Sequence, residues 1–351
     1  MKKLTTILLL LLAATPFVRT AQAQEHAWMK YIKPSGYFQA GYTVTNSFTD
    51  HNNIDNGSFY IKRARLSISG DLLQSDKFGR LEYKVQADLA NSPKLVDYWL
   101  KYTIRDEIGI QFGQFKTPLS IENSEVVPLK LEMIEYSLLV QRMVRMSTSD
   151  VSGISATGRE LGLQLYGKIG KMADGHHVVR YNVAVFNGNG INKMDDDHRK
   201  DFMARLMVYP FKDLYVSGYY MRSLGPHSEI APEYNDYDYF IYDRYGGGVS
   251  YNGKHAWARA EYMAGHTFGW RNEGAYVTAG YKILPNLGVG ARVDYFTTNS
   301  REKGYAQLYY SGAVNWSPFK WLRLQLNYTC QQQPGLNYPL HCINFLSSIS
   351  L

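Results

Sequence analysis

Residues 80–90, RLEYKVQADLA, alternate without a break. Arg80, Glu82, Lys84, Gln86 and Asp88 fall on one side, and Leu81, Tyr83, Val85, Ala87 and Leu89 on the other. Successive side chains of an extended chain point to opposite faces, so this stretch is a strand with one charged face and one apolar face. The pattern returns along the whole chain. In SFYIKRARLSISG, Ala64, Leu66 and Ile68 oppose Arg63, Arg65, Ser67 and Ser69; in LVDYWLKYTI, Val96, Tyr98, Leu100, Tyr102 and Ile104 oppose Asp97, Trp99, Lys101 and Thr103. LGVGARVDYF sets Val289, Ala291, Val293 and Tyr295 against Arg292 and Asp294, and WLRLQLNYT sets Leu322, Leu324, Leu326 and Tyr328 against Arg323, Gln325, Asn327 and Thr329.

The connections between these segments alternate in length. Short ones carry turn chemistry, as in RDE (105–107), PFKD (210–213), NGK (252–254), LPN (284–286) and SPFK (317–320). The others are long and polar, as in 46–57, 188–200 and 224–243. Counting through gives sixteen antiparallel strands, the layout of a transmembrane barrel with turns at one rim and loops at the other. In hydrocarbon every backbone N–H and C=O must be paired inside the protein, so strands span only as a closed sheet with an apolar outer face. Tyr209, Phe211, Tyr295, Phe296, Trp316, Phe319 and Trp321, near strand ends, suit the aromatic girdles at the two interfaces. A soluble β-sandwich is the competing architecture; its strands also alternate, but they are shorter and its sheets have edges to protect.

The N-terminus agrees with export. Lys2 and Lys3 precede an apolar run over 7–14, and Ala21 and Ala23 occupy the small-residue positions of a signal peptidase site, so residues 1–23 read as a cleaved signal and the barrel domain as 24–351. The alternative, a membrane anchor, would need an apolar run of about 20 residues. Removing Lys2, Lys3 and Arg19 from the 38 basic residues leaves 35 against 31 acidic ones, too small an excess for a nucleic-acid partner. The 29 Tyr, 15 Phe and 6 Trp, at a mean hydropathy of −0.32, are unusual for an ordinary soluble domain. Cys330 and Cys342 are either free or joined in one short-loop disulfide.

A sixteen-stranded barrel is wide enough for an aqueous channel. Alternation turns Arg63, Arg65, Arg80, Lys84, Lys101, Arg205, Arg259, Arg292 and Arg323 inward, against Glu82, Asp88, Asp97, Glu261 and Asp294. Low-dielectric walls focus such a field, which favours anions, and arginine offers a planar donor fork to oxyanions. The alternative is a wall whose mixed charges pair across neighbouring strands. The longest connection, Thr117 to Gly158, holds the one segment with helical spacing, VVPLKLEMIEYSLLVQRMVRM, through Leu131, Ile134, Leu138 and Met143. An apolar-faced segment gains by folding onto the inner wall, where it would narrow the pore and present Arg142 and Arg145 together on one helix. A surface lid or a subunit contact are the alternatives.

FYIKRARLSISGDL, GQFKTPLSIEN, RELGLQLYGKI and YNVAVFNGNGIN, in that order and spacing, resemble the phosphate-selective porin O/P family over nearly the whole chain after residue 23. The resemblance implies a sixteen-stranded, homotrimeric outer-membrane barrel in contact with lipid, its third external loop folded into the channel. It implies small anions or other small hydrophilic solutes as cargo, with a basic pathway in the phosphate-selective members. KTPLSIEN, with Lys116, Pro118 and Glu122, matches the segment that enters the loop. The ending HCINFLSSISL departs from the terminal Phe usual in outer-membrane barrels.

Nothing in the sequence calls for a cofactor or an enzyme. His176-His177 reads as a turn and DDDH (195–198) as a solvated loop rather than metal sites; FNGNGIN lacks the Lys-Ser/Thr and following helix of a phosphate loop; no hydrolase elbow is present. The expected function is passive diffusion of small solutes with a preference for anions, phosphate among them. A non-selective porin and an outer-membrane barrel enzyme or binding protein are the alternatives.

Overall fold

The computed structural model describes residues 30–46, 56–195, 200–225, 240–267 and 269–351. The export signal expected over 1–23 and most of DDDH lie outside them. Among the described residues sixteen strands form one closed antiparallel barrel, each paired with its sequence neighbours and β1 paired with β16. They are β1 (Lys33–Asn46), β2 (Asn56–Ser75), β3 (Gly79–Asp88), β4 (Lys94–Arg105), β5 (Ile108–Lys116), β6 (Arg159–Lys171), β7 (His177–Phe186) and β8 (Asp201–Phe211). The second half comprises β9 (Leu214–Gly225), β10 (Phe240–Asn252), β11 (Ala256–Thr267), β12 (Trp270–Leu284), β13 (Leu287–Thr297), β14 (Ala306–Phe319), β15 (Leu322–Gln332) and β16 (Leu340–Ser350). The seam runs from Tyr37↔Ser350 to Asn46↔His341.

The two faces divide as the alternation predicts. Leu66, Ile68, Tyr98, Leu100, Phe112, Leu206 and Leu326 stand exposed on the outside, which is stable only against lipid. Arg65, Asp88, Asp97, Arg205, Arg259, Glu261, Arg292 and Asp294 are buried on the inside. Of the register shifts between strands, two bear on the loop and the lumen. Between Gln39 and Ala40 the register of β2 skips from Arg63 to Ile61, and the extra residue, Lys62, reaches Glu135 of the long loop. Between Gln86 and Ala87 the register of β4 skips from Asp97 to Leu95, and Val96, expected on the outer face, is fully buried instead. A bulge adds one residue to one strand and so reverses the facing of the residues beyond it.

Two of the expected girdle residues also turn inward. Tyr209 packs at a tilt against Tyr215, ring centres 4.8 Å apart, beneath Arg180, and Phe296 is fully buried under the long loop; Phe211, Trp316, Phe319 and Trp321 remain exposed outside. Cys330 and Cys342 are free thiols. Cys342 pairs in register with inward Thr329, so Cys330 lies on the opposite face and no disulfide joins the two.

The long loop between β5 and β6 is not one helix. It contains α1 (Ile121–Glu125), a 3₁₀ turn (Pro128–Lys130) and α2 (Leu138–Met143), joined by bends. Its apolar residues are buried all the same. Leu119, Leu131, Leu138, Leu139, Val140 and Met143 pack on inward-facing Phe186, Met203, Met221, Met263, Tyr276 and Phe296. Each such side chain contributes roughly 1.5–3 kcal/mol on leaving water. Gly274 on β12 permits the approach: a Cβ there would lie 3.1 Å from Met143 Sδ and 3.2 Å from Leu139 Cα.

Candidate functional site

The inner wall does two different jobs. From β8 to β15 it holds the loop. The carboxylate of Glu261 accepts hydrogen bonds from Ser120 Oγ (2.9 Å), Ile121 N (2.6 Å), Glu122 N (3.1 Å) and Tyr276 Oη (2.6 Å), and so closes the N-terminus of α1 from the barrel side. Asp294 Oδ1 accepts from Leu138 N at 3.1 Å at the start of α2, and Glu122 accepts from Ser137 N at 2.8 Å. Negative oxygen beside the first free N–H groups of a helix satisfies donors that have no intrahelical partner.

The arginines of that wall complete the docking. Arg259 pairs with Glu132 at 2.9 Å and Glu122 at 3.4 Å; Arg292 donates to the Glu135 and Tyr136 carbonyls at 2.9 and 3.2 Å. Arg323 donates to the carbonyls of Leu129 and Leu131. Arg145 returns the far arm of the loop to the barrel through Asp201 (2.6 Å) and Glu160 (3.1 Å). Burial acts against the Arg145 charge, but the Asp201 and Glu160 carboxylates outweigh it and hold the guanidinium above the ordinary arginine range. Asp150, which accepts from Arg145 N and Ser152, is pushed above the usual carboxylate range by burial.

Arg142 and Arg145, expected side by side on one helix, are separated. The helix α2 ends at Met143, and Arg145 has a left-handed φ of 54°. Arg142 turns to Ser149 O and Gln307, whereas Arg145, 4 % exposed, is sealed in its ion cluster and does not line the channel.

The other side of the loop faces β2 to β8 across a cavity of about 400 Å³. Six cations line it, Arg65, Lys84, Lys101, Lys116, Arg159 and Arg205, against the carboxylates Asp97 and Glu125. Arg65 is neutralised by Asp88 at 2.8 Å, and Asp97 is shared between Lys84 (2.9 Å) and Arg159 (2.6 Å). Among the described residues neither Lys101 nor Lys116 makes an ion pair: Lys101 Nζ lies 4.6 Å from the Tyr166 ring centre, and Lys116 donates to the carbonyls of Asn123 and Val126. Arg205 pairs with Glu125 at 2.9 Å through Nη1, while its buried Nη2 has no acceptor. Below the cavity Arg80 pairs with Asp71 and Glu82; above it Arg63 donates to Gln39 and stands over the Tyr136 ring.

Of the twelve candidate cations, the cavity thus gathers Arg65, Lys84, Lys101, Lys116 and Arg205. Arg63 and Arg80 flank it, Arg145, Arg259, Arg292 and Arg323 serve the loop, and Arg142, on the loop itself, bonds Ser149 O and Gln307. Parity missed Arg159, which falls on the apolar face by counting, and Lys62. In both cases a charge on the greasy parity was the available sign, although the pairing register shifts only at Lys62.

The family described as phosphate-selective porin O and P matches residues 32–254. No curated protein matches the sequence. Among solved structures the barrel is similar to an anion-selective porin from Comamonas acidovorans, with 9% identity over 91% of this chain and 99% of that one and a TM-score of 0.67. It is similar also to OprB of Pseudomonas putida (11% identity, 92% and 94% covered, TM-score 0.68) and to Salmonella typhi OmpF in complex with daunomycin (13%, 91% and 97%, TM-score 0.65).

Proposed function

The chain belongs to the phosphate-selective porin O and P family and is an outer-membrane porin, and on that premise we propose that it passes small anions in preference to cations, through the cavity between the long loop and β2 to β8. The observation that carries this reading is the cavity's six cations against two carboxylates, with Lys101 and Lys116 outside any ion pair among the described residues. At an effective dielectric constant near 20, one net charge about 10 Å from an ion contributes roughly 1.7 kcal/mol before screening. Salt at physiological strength screens beyond about 8 Å, so the preference is several-fold rather than absolute. Inorganic phosphate fits the same donors, and the family description supports it as one cargo. Transport is passive, with no covalent step.

Reversal potentials of the purified protein in a planar bilayer under a KCl gradient test the reading. A value displaced toward the chloride equilibrium potential is expected; a value near zero makes this a non-selective porin, and a value toward potassium reverses the assignment. Assembly as a homotrimer is part of the proposal, and cross-linking of the membrane-embedded protein reads it: a ladder that stops at three supports it, a single band overturns it.

A further inference from the structure

The cavity is not lined as a path for bare inorganic ions would be. Its cations share the wall with Trp99, Phe115, Tyr37, Val127 and the prolines Pro118 and Pro128, so apolar side chains stand among the charges. Val127, at the loop's inner edge, is 48 % exposed. Trp99 is an inward residue of β4, only partly buried, packed against the apolar cluster that the loop forms with the wall. A small hydrated anion gains nothing from such a surface, because apolar walls replace none of the hydration it gives up. An aromatic ring half-open to water is covered favourably by an apolar body.

The donors stand beside these rings. Lys101 follows Trp99 by two residues on the same inward face, Lys84 is the cross-strand partner of Trp99, and Arg205 Nη2 is a buried donor without an acceptor in the cavity wall. Cationic heads at one side and carbon at the other match a ligand that carries both, an acidic head on a flat or aliphatic body.

We propose that the preferred cargo of this cavity is an organic acid, a carboxylate or phosphate joined to an apolar body, with Trp99 as the platform for the body and Lys84, Lys101 and Arg205 as the partners of the head. This rests on the anion reading above. Benzoate, acetate and inorganic phosphate are added in turn to single channels carrying chloride current. Benzoate half-blocks the current at a concentration about fivefold below that of acetate, the ratio expected for one aromatic contact. Phosphate resembles acetate. In Trp99→Ala the benzoate-to-acetate ratio falls to near one, and in Trp99→Phe most of it is kept. Equal block by benzoate and acetate in the unaltered channel overturns the proposal, as does a ratio that survives Trp99→Ala. If the alanine variant does not assemble, the unaltered ratio together with Trp99→Phe still decides. A reversal potential near zero in the same bilayers would instead sink the anion reading on which the inference stands.

Discussion

The two halves of the inner wall differ in what their charges are for. From β8 to β15, Glu261, Asp294, Arg259, Arg292 and Arg323 face the lumen by parity yet spend their hydrogen bonds on the loop. From β2 to β7, Lys101 and part of Lys84 remain available to solute, while Lys116 makes no ion pair among the described residues and donates to the loop carbonyls of Asn123 and Val126. An inward-facing charge is therefore not by itself a pore charge. What separates the two classes is whether the loop lies over the charge, as it does where Leu138, Leu139 and Met143 pack on the wall around Met263, Tyr276 and Phe296.

The strongest way to break that contrast is Arg145→Ala. It leaves Glu160 and Asp201 as uncompensated buried carboxylates, a loss of about 3–5 kcal/mol, read as a lower urea midpoint for barrel unfolding; an unchanged midpoint would remove Arg145 from the docking role. Next comes Glu261→Ala. Four donors lose their acceptor, each orphan costing about 1–3 kcal/mol before water relieves it, so the loop should loosen and single-channel conductance and loop proteolysis should rise together. Conductance equal to that of the unaltered protein would mean that α1 is held by packing alone.

On the solute side, Lys101→Gln should lower the chloride-to-potassium permeability ratio by roughly threefold, about the worth of one partly screened charge, with the urea midpoint little altered. Arg65→Ala should lower it about twofold, because removing Arg65 uncovers Asp88 in a wall where one screened charge changes the energy of a passing ion by roughly 0.4 kcal/mol. Arg63→Ala, which uncovers no acid, should do less, and the order of those two variants is the check.

The smallest expected effect is on pH. Asp150 sits above its ordinary value of 3.8 because it is buried, so the folded loop holds that proton more tightly than the unfolded chain does. Stability should therefore rise as pH falls from neutral through the raised value and level off below 3.8. Hydrogen exchange of the loop amides across that window, compared with Asp150→Asn, which should flatten the slope, reads it.

Much of this was legible in the alternation. RLEYKVQADLA and its counterparts give the strands, the facing of Arg80 and Lys84 and the closure, because lipid and water enforce opposite chemistry on alternate residues. What stayed hidden is non-local. The bulges at Lys62 and Val96 depend on the partner strand. Tyr209 and Phe296 could be girdle or lining, since aromatics serve both. The loop's two short helices begin where Glu261 and Asp294, more than a hundred residues away in sequence, accept from their first N–H groups. No local propensity encodes such a partner.

The seam between β1 and β16 sets the terms on which this molecule can exist at all. It joins Gln39 to Ser348, 309 residues apart, and closing so long a chain costs about 5 kcal/mol of entropy by the logarithmic rule. Until the last strand arrives, the first and fifteenth carry bare edges that hydrocarbon will not accept, each unpaired group costing several kcal/mol there. The barrel accordingly has no useful half-built form: it is membrane-compatible when the two ends of the chain meet, and not before.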